Sequence, residues 1–455
     1  MTIPVGAQLP SVPPIEPLAL NGATPPESMV VNGIELLNSF VPVFLVAFVV
    51  TLLATPIVRR IAVSAEVIDR PDKVRKEHAF PIAYLGGMAV FFGVLAGIAA
   101  SYMLVRPPAS ILMPVPLSIA VGMVAIALTG LLDDIWKLYP RLKIAGQLVA
   151  AAALAYENYG TQVAWGFLGT LVGPPDAVLW HGTISIPLMA PFELTIVAEQ
   201  IYYWVGVAII GVFVLGACNA ANLIDGLDGL LAGSTAIMCV GFLMISLLMA
   251  MILGAEDPDR TLVAARVALT LALLGAMLGF LPYNFNPAVI FLGDTGSLLI
   301  GYLCISIILM FGEHGQSSLV LAGLIIFALP IMDTVLAIVR RRLAGVSLSS
   351  ADSNHIHHQL KRSLGSVRKA VLALYAITAF FAVMGVALAA MRLLTTVRVL
   401  VVYAIAFAFF AFVAAVAFKT ARLGAWTLAV AKEQRAQGTA PPAKPDTASR
   451  AASKS

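Results

Sequence analysis

Gly216-Ala-Cys-Asn-Ala-Ala-Asn-Leu-Ile-Asp-Gly-Leu-Asp-Gly-Leu230 is the stretch on which the reading of this chain turns. Apolar sequence leads into it and away from it, yet Asn219, Asn222, Asp225 and Asp228 recur inside it every third residue. A three-residue step along an α-helix falls about 60° short of a full turn, so neighbouring members share a face while the first and fourth diverge. Gly226 and Gly229 loosen the backbone, and a helix start or a partly unwound turn here would let the four groups converge. Two amides and two carboxylates converging at a membrane boundary suit a hard cation and the phosphates it carries. Ionisable groups in or beside spanning segments are functional by default. The plainer alternative is a solvated loop whose Asn and Asp cap helices.

The flanking sequence sets the fold class. Of 455 residues, 60% are hydrophobic and only 11% charged, and the mean hydropathy is +0.94. A soluble protein of this length carries about twice that charge. The chain therefore reads as an all-α polytopic integral membrane protein rather than a stack of soluble domains, because helices satisfy their own backbone groups in lipid. Cys218, Cys239 and Cys304 lie in or beside apolar segments without paired spacing. They imply neither a disulfide framework nor a zinc site and read as packing residues.

Segments long enough to span fall at about 38–58, 84–105, 116–132, 143–159, 200–217, 229–253, 262–282, 288–311, 317–339, 369–391 and 396–418, eleven in all. Residues 1–35 are Pro-rich, lack a basic region before an apolar core and read as a disordered extracytoplasmic leader. Residues 36–420 form the transmembrane domain, and 421–455 a largely disordered cytoplasmic tail. With the N-terminus outside and sides alternating, 23 of the 28 Lys and Arg fall on inward segments. That asymmetry supports eleven spans with the C-terminus inside. The same topology puts Lys73–His78, Asp133-Asp134, Asn219–Asp228, Asn284–Asp294 and Asp352–His358 on the cytoplasmic side. Residues 160–199 form an outer connection with a short alternating run, Thr183–Leu188, readable as a small external β-hairpin.

The inward motifs carry the chemistry. Asp133-Asp134 ends the third span, where two carboxylates oppose the helix dipole unless a cation, a metal-bound phosphate, Lys137 or Lys143 offsets them. One could serve as general base and the other position a metal or a lysine; a solvated pair is the bland alternative. Asp294, between Gly293 and Thr295-Gly296-Ser297, suits direct Mg²⁺ ligation or a plain N-cap. His355-Ile-His-His358 follows Arg340-Arg341-Arg342 and Asp352, with no further Cys or His at hand to close a zinc site. Anion recognition fits better, although the arginines also serve as topological anchors. Asp333, near the end of the ninth span, is expected to pair with Arg340 or Arg341. Asp69-Arg-Pro-Asp-Lys-Val-Arg-Lys-Glu-His78, which contains Lys73, Arg75, Lys76 and His78, is a mixed-charge loop suited to anionic substrates or headgroups.

Taken together, these motifs resemble the polyprenyl-phosphate N-acetylhexosamine-1-phosphate transferases of glycosyltransferase family 4 type. The matching elements are Asp69–His78 with Leu85-Gly86-Gly87, Asp133-Asp134 with Lys143 and Gln147, Asn219–Leu230, Phe291–Ser297, Asp333-Thr334 and His355-Ile-His-His358. Residues 81–84, Pro-Ile-Ala-Tyr, depart from the family, which usually has an Arg there. The resemblance implies transfer of N-acetylglucosamine-1-phosphate from UDP-GlcNAc to undecaprenyl (polyprenyl) phosphate at the cytoplasmic face of a bacterial inner membrane. The products are lipid-diphospho-GlcNAc and UMP, in the first membrane step of cell-envelope polysaccharide assembly.

By the same resemblance Mg²⁺, or Mn²⁺, is held by Asp294 and Asn222. Asp133 is the base or lipid-phosphate partner beside Asp134, Asp225 and Asp228 shape the nucleotide and metal site, and His355, His357 and His358 face the diphosphate and sugar. Lys73, Arg75, Lys76, His78, Lys143, Asn219 and Arg341 are the implied substrate contacts. Other UDP-sugars stay open (GalNAc, FucNAc, MurNAc-pentapeptide), as does a homodimer, and no nucleic-acid partner is expected. A transporter is the rival from another class, but no inverted repeat is visible and the polar motifs gather on one face.

Overall fold

The computed structural model describes residues 33–69, 81–105, 115–184, 192–252, 262–343 and 355–436. Its elements in chain order begin with α1 (Gly33–Ser64), β1 (Ile68–Asp69), β2 (Ile82–Ala83), α2 (Gly86–Met103), α3 (Leu117–Trp136), α4 (Pro140–Tyr156) and α5 (Val163–Val172). Next come β3 (Val178–Ile184), β4 (Phe192–Val197), α6 (Ala198–Ile224), α7 (Leu230–Ile252), α8 (Val263–Asn284) and α9 (Gly293–Met310). The chain closes with α10 (Ser317–Ile326), α11 (Ala328–Leu343), α12 (Ile356–Leu364), α13 (Val367–Leu394) and α14 (Val399–Ala436).

Among the described residues nine helices are long and apolar enough to cross a membrane, and α10 with α11, bent by 77° at their junction, makes a tenth if counted as one span. The eleven expected segments all appear as helices. The segment outside that count is α4, whose 17 residues rise about 26 Å, at the lower limit for a span. It begins at Pro140, a residue suited to a first helical turn, and carries Arg141 and Lys143 there. The protein is a multi-pass all-α membrane protein.

Helices α8 and α9 form the axis of the bundle: 89% of the best 18-residue window of each is buried, against 17% for α14 at the periphery. Small residues bring the surrounding backbones close, as lipid-embedded packing requires. A Cβ added at Gly93 of α2 would lie 1.8 Å from Thr51 Oγ1 of α1. The three cysteines are free and buried, in keeping with packing roles.

A β-hairpin is present, and the alternating run begins inside its first strand. Strand β3 pairs antiparallel with β4, from Val178 opposite Val197 to Ile184 opposite Phe192. Of the expected run only Thr183 and Ile184 fall in a strand; 185–188 lie outside the described residues. The partner strand, β4, came from sequence read as connection.

The short strands matter more. β1 and β2 pair antiparallel, and Ala83 bridges in parallel to Ile290. Gly86 N donates to Phe291 O at 2.9 Å and Gly87 N to Leu292 O at 2.8 Å. The segment entering α9 is thereby fixed to the entry of α2.

Candidate active site

The C-terminal ends of α3, α6, α8 and α11 and the N-terminal ends of α4, α7, α9 and α12 converge at one end of the bundle. Their polar side chains are the sequence motifs. At its centre is the start of α9. Gly293 has φ +70°, and a Cβ there would lie 2.6 Å from Asp134 Oδ2, so only glycine fits the turn. Asp134 Oδ1 accepts from Asp294 N at 2.8 Å, while Oδ2 accepts from Thr295 N at 3.0 Å and Thr295 Oγ1 at 2.6 Å. This carboxylate, unfavourable at the end of its own helix, caps the positive end of another. Both of its oxygens are engaged in holding α9.

Asp133 has a different environment. Lys143, from the first turn of α4, donates to Asp133 Oδ2 at 3.3 Å and makes a tight ion pair with Asp294. Asn222 Nδ2 donates to Asp294 Oδ1 at 2.8 Å and to Ser297 Oγ at 2.9 Å, which leaves its carbonyl oxygen for a ligand. The Asp294 and Lys143 side chains are 25% and 22% exposed, enough for a substrate anion to reach them.

The four evenly spaced Asn and Asp do not converge as a set. Helix α6 stops at Ile224, and the polypeptide unwinds through Asp225 to Gly229, which has φ +76°. Asn222 joins Asp294, whereas Asn219 Nδ2 turns to Gln147 Oε1 at 3.0 Å. Asp228 Oδ2 accepts from Asn286 Nδ2 at 2.8 Å and Ala288 N at 3.0 Å, anchoring the turn between α8 and α9. Asn284 braces the same turn, accepting from Gly229 N and donating to Ile290 O. Asp225 feels the other carboxylates: burial, and then Asp294, Asp134 and Asp228, push its carboxyl up to about 8.

The histidines dock on this unwound segment. Asp333 does not pair with Arg340 or Arg341; its Oδ2 is 3.0 Å from His355 Nδ1 and its Oδ1 accepts from Ile356 N at 2.9 Å. The arginines follow about two turns later on α11, whereas Asp333 faces the start of α12 and caps it. The His355 and His357 rings stack 5.4 Å apart, 6° from parallel, and the His358 ring lies 4.4 Å from that of His357. A Cβ on Gly226 would come within 2.2 Å of His357 Nε2, so glycine admits the ring against the backbone. Burial pushes the His357 imidazole down to about 3, keeping it neutral. Arg341 stands half-buried on the last turn of α11. Lys73, Arg75, Lys76 and His78 lie outside the described residues.

Three residues at the site were not among the expected catalytic, substrate or metal contacts, although Asp333 belonged to a matching element and Lys137 was a candidate to offset the double Asp. Asp333 read as a structural partner of arginines. Tyr84 read only as a departure from the family, yet its ring lies 6.0 Å from Phe291 and 5.5 Å beneath the Lys137 ammonium. Burial, then Asp134, Asp294 and Asp225, raise its phenol, which remains a donor. Lys137, with φ +54° just after Asp133-Asp134, is held there by its N–H to Asp133 O at 2.9 Å. Adjacency to the double Asp was the signal available for it.

Carboxylates, two lysines and stacked histidines around a helix N-terminus, at one end of a membrane-spanning bundle, define a membrane enzyme that handles phosphorylated substrates. The chain belongs to the polyprenyl-phosphate N-acetylhexosamine-1-phosphate transferases: residues 116–312 match the model described as glycosyl transferase family 4. A Bacillus subtilis protein named probable undecaprenyl-phosphate N-acetylglucosaminyl 1-phosphate transferase is 33% identical over 357 residues, 78% of this chain and 86% of that one. A Mycobacterium leprae decaprenyl-phosphate N-acetylglucosaminephosphotransferase is 31% identical, covering 73% of this chain and 79% of its own. A Desulforudis audaxviator phospho-N-acetylmuramoyl-pentapeptide-transferase is 29% identical over 75% of this chain and 96% of its own.

Proposed function

We propose that the protein transfers N-acetylglucosamine-1-phosphate from UDP-GlcNAc to a polyprenyl phosphate such as undecaprenyl phosphate, giving lipid-diphospho-GlcNAc and UMP. The observation carrying this reading is the Lys143–Asp294–Asn222 cluster at the capped N-terminus of α9, with Asp133 beside it. The names of the Bacillus and Mycobacterium relatives favour GlcNAc. The muramoyl-pentapeptide name of the third keeps a different UDP-N-acetylhexosamine as the second reading.

An acceptor phosphate oxygen attacks the β-phosphorus of the nucleotide sugar, and the bond from that phosphorus to the bridging oxygen breaks, releasing UMP. The acceptor is already anionic near neutral pH, so attack needs no strong base. Lys143 is held between Asp133 and Asp294 and would swing its ammonium onto the diphosphate as charge moves to the leaving oxygen. Asp133 would fix that lysine and face the lipid phosphate. Asp225 would line the nucleotide side, and Asp228 holds the turn behind it. Neutral His357 would donate or accept without adding charge, with His355 and His358 beside it toward the diphosphate and sugar.

Among the described residues no group of three His, Cys, Asp or Glu could hold a metal alone. That donor set fits Mg²⁺ or Mn²⁺, since Mg²⁺ takes one or two carboxylates and draws further ligands from substrate phosphates and water. Asp294 and the Asn222 carbonyl oxygen would hold it, and it would neutralise charge on the diphosphate oxygens. The positive-inside pattern supports an active site on the cytoplasmic face of a bacterial inner membrane, with the N-terminus outside.

The test is turnover by purified protein in detergent with undecaprenyl phosphate, Mg²⁺ and labelled UDP-GlcNAc, beside Asp294→Ala. We expect lipid-linked label that disappears without divalent metal and falls at least about 10²-fold in the variant. Label with another UDP-sugar but not with GlcNAc would move the donor assignment. No label with any UDP-sugar, from folded protein, would overturn the reading.

A further inference from the structure

Left-handed backbone is concentrated in two places. Leu85, Lys137, Gly229 and Gly293 surround the catalytic cluster; Asn158, Gly160, Gly173, His314 and Gly315 gather at the other end of the bundle. From Glu199 to Asp225, α6 alone separates the two ends by roughly 39 Å. Such conformations are costly for side-chain-bearing residues and persist where the surrounding fold over-determines a shape.

The shape at this second place is a cavity of about 310 Å³. Trp165, Tyr202 and Tyr203 supply aromatic walls, Glu199 a carboxylate, and Asn158 and His314 polar edges; among the described residues no Lys or Arg lines it. Its walls are fixed. The Tyr202 hydroxyl donates to Gly173 O, and His314 N donates to Gln162 Oε1 at 2.7 Å. A Cβ on Gly166 would lie 2.2 Å from Gly315 O, so α5 is seated hard against the turn that carries His314. Glu199 is exposed at the start of α6, and its side chain makes no ion pair with any described residue.

Three aromatic rings and one carboxylate, with no Lys or Arg among the described residues, in a space far larger than a metal ion, suit an organic cation. Ring faces attract ammonium groups through their quadrupole, and a carboxylate adds direct charge. We propose that this cavity binds an organic ammonium group, carried by a phospholipid headgroup or by a soluble amine. The site lies at the membrane-surface end of α6, where headgroups are at hand. It is independent of the catalytic cluster and does not rest on the donor assignment above.

The experiment is thermal denaturation of the full chain, monitored in detergent micelles with added phosphatidylethanolamine, phosphatidylglycerol or free ethanolamine. Native mass spectrometry counts retained lipids in parallel. We expect phosphatidylethanolamine to raise Tm and to be retained several-fold over phosphatidylglycerol, with both effects lost in Glu199→Gln and weakened in Trp165→Phe. A rise with free ethanolamine, lost in the same variants, would assign the site to soluble amines. Glu199 is exposed, so its variant should fold, and unchanged turnover of UDP-sugar would verify that. Equal retention of both lipids with no rise from ethanolamine, or effects that survive Glu199→Gln, would overturn the proposal and leave the aromatic residues as interfacial anchors.

Discussion

Asp133 and Asp134 are neighbours of identical chemistry, and the tertiary structure gives them opposite roles. Asp134 accepts three hydrogen bonds from the first residues of α9 and is a structural cap. Asp133 faces Lys143 and the open side of the cluster. Removing a helix cap costs about 0.5–2 kcal/mol, so Asp134→Ala should lower the Tm of purified protein clearly, with turnover falling because Asp294 loses its position. Asp133→Asn should leave Tm almost unchanged while kcat falls by about 10²-fold or more. Calorimetry and the turnover assay on both variants check the division, and a larger Tm loss in Asp133→Asn would reverse it. The motif announced two functional carboxylates; nothing in Asp-Asp says which one is already occupied. That depends on Thr295, 161 positions away.

At the scale of elements, α12 is capped from α11 by Asp333 and pressed onto the unwound join of α6 and α7 through His357 and Gly226. His357 also faces His355, His358 and Arg340. Its folded pKa, about 3, is below the unfolded value of about 6.5, so the unfolded state takes up the proton first. Stability contributed by the neutral ring is therefore present above pH 6.5 and is lost as pH falls toward 3, by up to about 1.4 kcal/mol per unit. His357→Gln should flatten this acid limb in a series of Tm measurements between pH 7 and 4.5. An identical slope in the variant would place the acid sensitivity elsewhere. The His-x-His-His pattern was legible as an anion-recognition motif. Its carboxylate partner was not: Asp333 lies 22 residues upstream of His355, and nearby arginines offered a closer charge match in sequence.

At the scale of the whole molecule, the catalytic cluster and the Glu199 cavity occupy opposite ends of the bundle. Single cysteines at Tyr139, beside the cluster, and at Gln200, beside the cavity, are both exposed positions, and the native cysteines are buried. In intact cells a membrane-impermeant maleimide should label Gln200→Cys at once and Tyr139→Cys only after permeabilisation. The reverse pattern would invert the orientation that the distribution of Lys and Arg supports.

Hydropathy by itself determined the helical, multi-pass architecture, because in lipid a run of apolar residues can satisfy its backbone only as a helix. The eleven segments were therefore visible in order, α4 with its 17 residues at the lower limit for a span. The spacing of Asn219, Asn222, Asp225 and Asp228 marked the site, since ionisable groups beside spanning segments are functional by default. Only the tertiary structure decided which of them meet. Each points according to where α6 stops and which neighbouring helix end offers a donor. Those contacts join residues 58 to 75 positions apart, and periodicity within one segment carries no information about such pairings.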